Sequence, residues 1–373
     1  MNLDFTQEQD EIRDGIRKLL RGIADDALLI GLQGKETGYL PAIWGGLSEG
    51  GWHGVVIPEE FGGFGLGLGD SCVVFEEYGA GPLPHLYFTC AGVSPYFLME
   101  AGTDAQKQRL LPSLADGTMR VTVAAAEVEA SWTGAPVKTR LEEHDGRLLL
   151  SGEKMYVPDA LGATHALVTA KTASGGTALV MVDLAAAGCA RELLRSFSCW
   201  ETRLAFDGVE VSADDVIGGI GADAAPAIAR AISRAIPGLA AYQVGSSQSA
   251  YTLALEHSRT RIQFGQPVGR FQRVQDHIVE LINHLDSARW LTYETIWQIE
   301  QDKAGSQTAI HTLKALVADS HWEACNASHE VHAGIGADMQ YGLAKHTHLS
   351  HTLFHFLGSP SWHRDRVAVT LGW

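Results

Sequence analysis

No apolar run in the 373 residues approaches the ~20 consecutive hydrophobic positions that a bilayer span requires, so no transmembrane segment is expected. The stretch MNLDFTQEQDEIRDGIRKLL is amphipathic and charged, which is wrong for the apolar core of a secretory signal. Cysteine is scarce as well. Cys72, Cys90, Cys189, Cys199 and Cys325 are scattered, odd in number and never spaced C-x-x-C, so neither a disulfide framework nor a thiolate zinc site is indicated. A reducing cytoplasm is the expected compartment. Basic residues are outnumbered, 28 against 44 acidic ones, for a formal charge of −16 at pH 7. Such a surface repels phosphate backbones, and no basic cluster with interleaved aromatics offsets it, so nucleic acid is not an expected partner.

What is present is globular: 46% of residues are hydrophobic and 19% charged, and the length supports two or three packed cores. Thr6-Gln7-Glu8-Gln9 reads as a capping box, after which Ile12, Ile16, Leu19 and Leu20 share a helical face. The glycines from Gly62 to Gly69 alternate as G-x-G-x-G with no strand-loop-helix unit around them, which favours a structural loop over a nucleotide fingerprint. From Arg120 the texture changes to short β-branched segments such as GRLLLSGEKMYV, HALVTAK, TALVMVDL and FDGVEV, separated by turn residues. After Gly218 long amphipathic helices return: Ala224 to Arg259, about Phe271 to Asp302, a third through Ser328, and a last one ending near Leu357. The expected organisation is a helical domain over 1–120, a small antiparallel β-barrel-like domain over 121–218, and a helical bundle over 219–373.

Histidine is frequent late in the chain, and His348, His351 and His355 fall at i, i+3 and i+7 of one helix face. No carboxylate or further ligand accompanies them, and His329-Glu330-Val331-His332 is one residue short of zinc-protease spacing, so no metal is expected. There is no G-x-S-x-G elbow. The adjacent acidic pairs Glu59-Glu60, Glu76-Glu77 and Asp214-Asp215 diverge in direction and read as solvated surface. The most informative segment is Arg259 to Gln272, between two long helices. A guanidinium followed by an aromatic and a glycine turn suits a phosphate and a flat base, and equally suits a helix-ending turn with surface arginines.

Its neighbourhood decides between them. The motif R-x-x-F-G-x-P-V-x-x-F-Q from Arg261 to Gln272, together with Gly51-Trp52, Ile57-Pro58-Glu59-Glu60-Phe61-Gly62-Gly63, Gln106-Lys107 through Leu111-Pro112, Gly152-Glu153-Lys154-Met155, Phe206-Asp207-Gly208-Val209-Glu210-Val211 and His332-Ala333-Gly334-Ile335-Gly336, resembles the acyl-CoA dehydrogenase family over essentially the whole chain. The resemblance implies an α+β multidomain fold: N-terminal helical domain, middle antiparallel β-barrel-like domain and C-terminal four-helix bundle. It implies FAD-dependent α,β-desaturation of an acyl-CoA thioester, in which a glutamate removes the α proton, the flavin takes the β hydride, and each FAD spans two subunits of a tetramer. Arg261, Phe264 and Gln272 match positions that hold the diphosphate and adenosine half of a neighbour's FAD, and Gly334 matches a backbone contact to that half. Glu330 departs from the pattern, standing where a glutamine is usual.

The flavin-ring half departs further. Ala126-Glu127, Ser131-Trp132 and Tyr156-Val157-Pro158 stand where the family has Thr-Glu, Gly-Ser and Trp-x-Thr; Glu127, Tyr156 and Ser359 are the remaining flavin-side candidates. Each lost hydroxyl costs a buried partner worth roughly 1–3 kcal/mol. Both family positions for the catalytic base are apolar: Leu357 in one, and in the other Ala235, followed by Ile236, Leu239 and Tyr242. The reading that follows is the base-less subunit of a heterotetrameric α2β2 acyl-CoA dehydrogenase, resembling the enzymes of steroid side-chain degradation, partnered by a homologous subunit and an electron-transfer acceptor. The alternatives are a homotetrameric dehydrogenase or flavin oxidase with an unusual base, Asp338 or Glu256, and a non-catalytic CoA-ester scaffold.

Overall fold

The computed structural model describes every residue except 1–4, 25–27, 29–30, 33–34, 129–131, 133–137, 196 and 198–199. Among the described residues the chain opens with the helices α1 (Gln7–Ile23), α2 (Pro41–Glu49), α3 (Leu68–Ala80), the short α4 (Leu86–Phe88), α5 (Ser94–Ala101) and α6 (Asp104–Ala115). Thr6 caps α1 as the sequence predicts: its hydroxyl oxygen accepts from the Gln9 amide, and Gln9 Oε1 accepts from the Thr6 amide in return. Ile16 and Leu20 are the buried members of the α1 face.

The chain divides into two compact units. One comprises 32–67 and 84–235. Its sheet contains β1 (Val121–Ala124), β2 (Arg140–His144), β3 (Arg147–Pro158), β4 (His165–Thr172), β5 (Thr177–Asp183), β6 (Cys189–Leu193), β7 (Glu201–Val211) and β8 (Val216–Ile217), ordered β6-β7-β3-β2-β4-β5-β8 with β1 on β4. β2 and β3 form a hairpin through Asp145 and Gly146, whose φ of 52° and 75° suit the turn type that right-twisted strands favour. The sheet is mixed and not wholly antiparallel, because β1 and β2 both run parallel to β4. The excursion through the β2–β3 hairpin supplies the long crossover that a parallel pairing needs. The Gly62–Gly69 run begins as a folded loop: a Cβ at Gly63 would lie 2.0 Å from the Ile57 carbonyl oxygen, so glycine there permits close packing.

The other unit comprises 1–31, 68–83 and 236–373. It takes the second part of α7 (Ala225–Thr260), the hairpin of β9 (Ile262–Gln263) and β10 (Gln266–Pro267), then α8 (Gln272–Glu300), α9 (Ser306–His332), α10 (Leu343–Phe354) and α11 (Pro360–Thr370). The α7–α9 boundaries fall within a few residues of those expected. α11 was not anticipated, although Ser359 caps it by accepting from the Trp362 amide and Pro360 opens it. Ala254, Leu281, Ala324, Ala327 and Val331 form one apolar core of the bundle. α3 meets α7 backbone to backbone through glycines: a Cβ at Gly79 would sit 2.0 Å from the Tyr242 carbonyl oxygen, and one at Gly245 would sit 1.8 Å from that of Glu76.

Candidate functional site

The Arg-Phe-Gly motif forms a small exposed edge at the C-terminal end of α7. β9 and β10 pair in antiparallel register, Gln263 with Gln266 and Ile262 with Pro267, so Phe264 and Gly265 make the tip. Phe264 is held at φ 49°, a left-handed conformation that a bulky residue resists, and it is 91% exposed with its ring edge-on to Phe271 at 6.1 Å. The Arg261 amide donates to the His257 carbonyl, its own carbonyl accepts from Val268, and its exposed guanidinium makes no ion pair among the described residues. Gln272 is the exposed first residue of α8.

Gly334 lies in the single helical turn Ala333–Ala337 that follows α9; it is exposed, and a Cβ there would meet nothing within 4 Å. Ala333 before it has φ 53° and ψ −137°, backbone that glycine adopts readily and alanine does not. The ends of α7 and α9 are joined by an aromatic contact: the His257 and His332 rings are 4.6 Å apart, and Tyr341 stands edge-on, 5.0 Å from His332. Arg261 and Gly334, distant in sequence, thus sit close in the chain to two residues that touch. Strained backbone at Phe264 and at Ala333 marks this edge, as stored strain often marks a functional site. Glu330, on the last turn of α9, is exposed.

In the other unit, Glu127 is occupied with internal work. Its carboxylate accepts from Lys154 Nζ at 2.7 Å, from the Lys138 amide at 2.7 Å and from the Thr139 amide at 3.1 Å. Burial raises the Glu127 pKa, but these hydrogen bonds outweigh it and hold the carboxyl below its ordinary value. Burial lowers Lys154 to about 8 against the pull of Glu127. Tyr156 lies at a β3 bulge, half exposed, with φ 54°. Ala126, Trp132 and Val157 are buried, and the Pro158 carbonyl accepts from Thr122. Ser131 falls outside the described residues. This donor set offers a flavin ring no free hydroxyl at positions 126, 157 or 158, whereas the Arg261 edge presents a guanidinium, an amide, a ring and open backbone, the groups that suit a nucleotide diphosphate.

At the first base position, Leu357 is fully buried at φ 58°. Its turn is gripped from beneath: Lys314 Nζ donates to the Phe354 carbonyl at 2.9 Å, and His363 Nε2 lies 3.1 Å from the Leu357 carbonyl oxygen. His363 Nδ1 in turn lies 2.9 Å from His311 Nδ1. At the second position, Ala235, Ile236, Leu239 and Tyr242 are all buried, and the Tyr242 hydroxyl donates to the Leu83 carbonyl. Asp338 and Glu256 are exposed; Asp338 accepts from the Gln340 amide. His351 packs on the Trp322 ring, centroids 3.8 Å apart, and His355 follows the end of α10. No group of three or more His, Cys, Asp or Glu residues among those described is arranged to hold a metal. Sequence reading missed Lys314, His363 and the buried relay in which Ser246 Oγ lies 2.9 Å from His321 and 2.8 Å from His346, because these partners come together only through helix packing.

Residues 6–118 match the acyl-CoA dehydrogenase N-terminal domain, and residues 226–371 match the acyl-CoA dehydrogenase C-terminal domain. With the helical, β, helical order in place, the chain belongs to the acyl-CoA dehydrogenase family. The (2S)-methylsuccinyl-CoA dehydrogenase of Cereibacter sphaeroides is 26% identical over 322 residues, which are 80% of this chain and 58% of that protein's length. A variant of the Tcur3481-Tcur3483 steroid ACAD superposes with a TM-score of 0.85 at 26% identity, covering 98% of both chains. The ChsE4-ChsE5 complex from Mycobacterium tuberculosis shares the fold, with a TM-score of 0.86 at 20% identity over 100% of this chain and 99% of that one. Among the described residues, no helix is long and apolar enough to cross a membrane.

Proposed function

We propose that this chain is the base-less subunit of an FAD-dependent acyl-CoA dehydrogenase, assembled with a homologous subunit as an α2β2 heterotetramer, and that it completes the partner's FAD site. The observation that carries the reading is Leu357, an apolar side chain sealed from solvent where the family places its base. General-base catalysis contributes ~10²–10⁴ in rate, so a chain without it depends on another for turnover. The exposed edge of Arg261, Phe264, Gln272 and Gly334 supports the other half of the proposal, since it offers charge, ring and open backbone to the diphosphate and adenosine of a cofactor seated mainly elsewhere. Bound FAD supplies the hydride acceptor for acyl-CoA desaturation, and an electron-transfer acceptor reoxidises it. The two relatives with paired names, one of them a steroid ACAD, support a heteromeric assembly acting on bulky acyl-CoA esters.

The test is Arg261→Ala in the complex co-purified with its homologous partner. A charge-assisted contact to phosphate is worth about 1.5–3 kcal/mol, so FAD affinity should fall roughly tenfold or more, read as lost flavin absorbance after dialysis. Full flavin occupancy in that variant contradicts the assignment.

A further inference from the structure

The nucleotide edge carries a second layer of chemistry in the imidazole pair beneath it. His332 is 3% exposed, and its Nδ1 lies 2.7 Å from the Ser328 carbonyl oxygen. A carbonyl only accepts, so Nδ1 carries the proton and Nε2 of the neutral ring is an acceptor. Nε2 is buried and as an acceptor meets no donor, whereas the Leu253 backbone lies against the ring and, like Ser328, favours its protonated form. An orphaned buried acceptor is costly, and adding a proton turns it into a donor and cation. Its nearest ring is His257, centroids 4.6 Å apart and tilted by 36°, one turn before Arg261, whose amide donates to the His257 carbonyl.

We propose that His257 and His332 form a positioning joint that ties the Gly334 turn to the end of α7, and that protonation of this pair strengthens the grip of the Arg261 edge on a diphosphate. The inference rests on the nucleotide reading above and adds a residue pair and a regulation to it. Two neutral rings in contact hold the turn by stacking alone; a proton on either places a positive charge beside the anion-binding edge. The titratable and charged groups against the pair are Arg261 from α7, His329 from α9 and Tyr341 from the segment after it; Glu256 acts on Tyr341 and Glu330 on His329, one residue removed from the pair. Burial, His332 and Arg261 all push His257 down, so the pair is neutral near neutrality without ligand. A bound diphosphate opposes the last of these and draws the proton in, and by linkage acid pH then tightens diphosphate binding.

The experiment is titration of the full chain with ADP, followed by ³¹P NMR, at pH 7.5 and pH 5.5, for the natural protein and for His257→Ala, His257→Tyr and the double variant His257→Tyr/His332→Phe. At pH 7.5 His257→Ala should weaken ADP binding and His257→Tyr should restore it, since tyrosine keeps the ring contact. The ratio of natural to His257→Tyr/His332→Phe affinity should rise roughly fivefold on going to pH 5.5, since neither ring of that variant can take the proton and the titration of ADP itself cancels. An unchanged ratio overturns the proton-dependent joint while leaving the nucleotide edge standing. Absence of ADP binding by the natural protein at both pH values overturns the nucleotide reading and the joint with it.

Discussion

His363 Nε2 lies 3.1 Å from the carbonyl oxygen of Leu357, and this contact helps to pin a leucine at φ 58°. Left-handed backbone costs a side-chain-bearing residue about 1–2 kcal/mol, which glycine does not incur. The turn therefore keeps a conformation that its own residue disfavours, with buried side chains holding it in place.

This makes an inverted order of stability expected at position 357. Leu357→Ala removes packing and keeps the strain, at a cost of about 2–5 kcal/mol. Leu357→Gly removes more atoms but also the strain, and should be the less damaging of the two by about 1 kcal/mol. Urea denaturation midpoints of the two variants check this, and a glycine variant less stable than the alanine variant contradicts it.

Acid should weaken the protein well before its carboxylates titrate. Burial holds His321, His346 and His363 down at about 3, whereas in the unfolded chain they return to about 6.5. Between those values the unfolded chain binds protons that the folded one refuses, so stability is full above pH 6.5 and falls as pH drops toward 3, by at most about 1.4 kcal/mol per pH unit for each histidine. Lys314, lowered by burial to about 7, acts in a higher window: it adds stability as pH rises from 7 to about 10.5, joined above about 8 by Lys154, so Lys314→Met should remove the rise between pH 7 and 8 and lessen it above. Denaturant midpoints measured across pH 4 to 10 read both slopes.

The α3–α7 crossing depends on glycine. Gly245→Ala places a methyl group 1.8 Å from the Glu76 carbonyl oxygen, a backbone atom that cannot rotate away, so the helices must separate. A loss of about 3 kcal/mol or more is expected. A thermal midpoint within a degree or two of the natural protein would show that this contact does not set the crossing.

The elements with strong local signals were readable in advance. The Thr6 cap and the long periodic helices α7 to α9 each rest on neighbours in the chain. The parallel pairings of β1 and β2 with β4 were not readable, because register across a long connection depends on packing that no local pattern encodes. The same limit applies at the site. Arg261, Phe264, Gly265 and Gln272 stand in one run and announce themselves, whereas the contact of His257 with His332 joins two helix ends far apart in sequence. Glu127 looked available from its position; its three donors come from Lys154 and the backbone at 138–139.

The most direct test is the flavin-to-protein ratio of this chain purified alone, compared with the ratio after co-expression with a homologous subunit. The account predicts a colourless protein without acyl-CoA dehydrogenase activity in the first case, and in the second an active complex with one FAD per pair of unlike subunits. A stoichiometrically yellow, active protein from this chain by itself would contradict it.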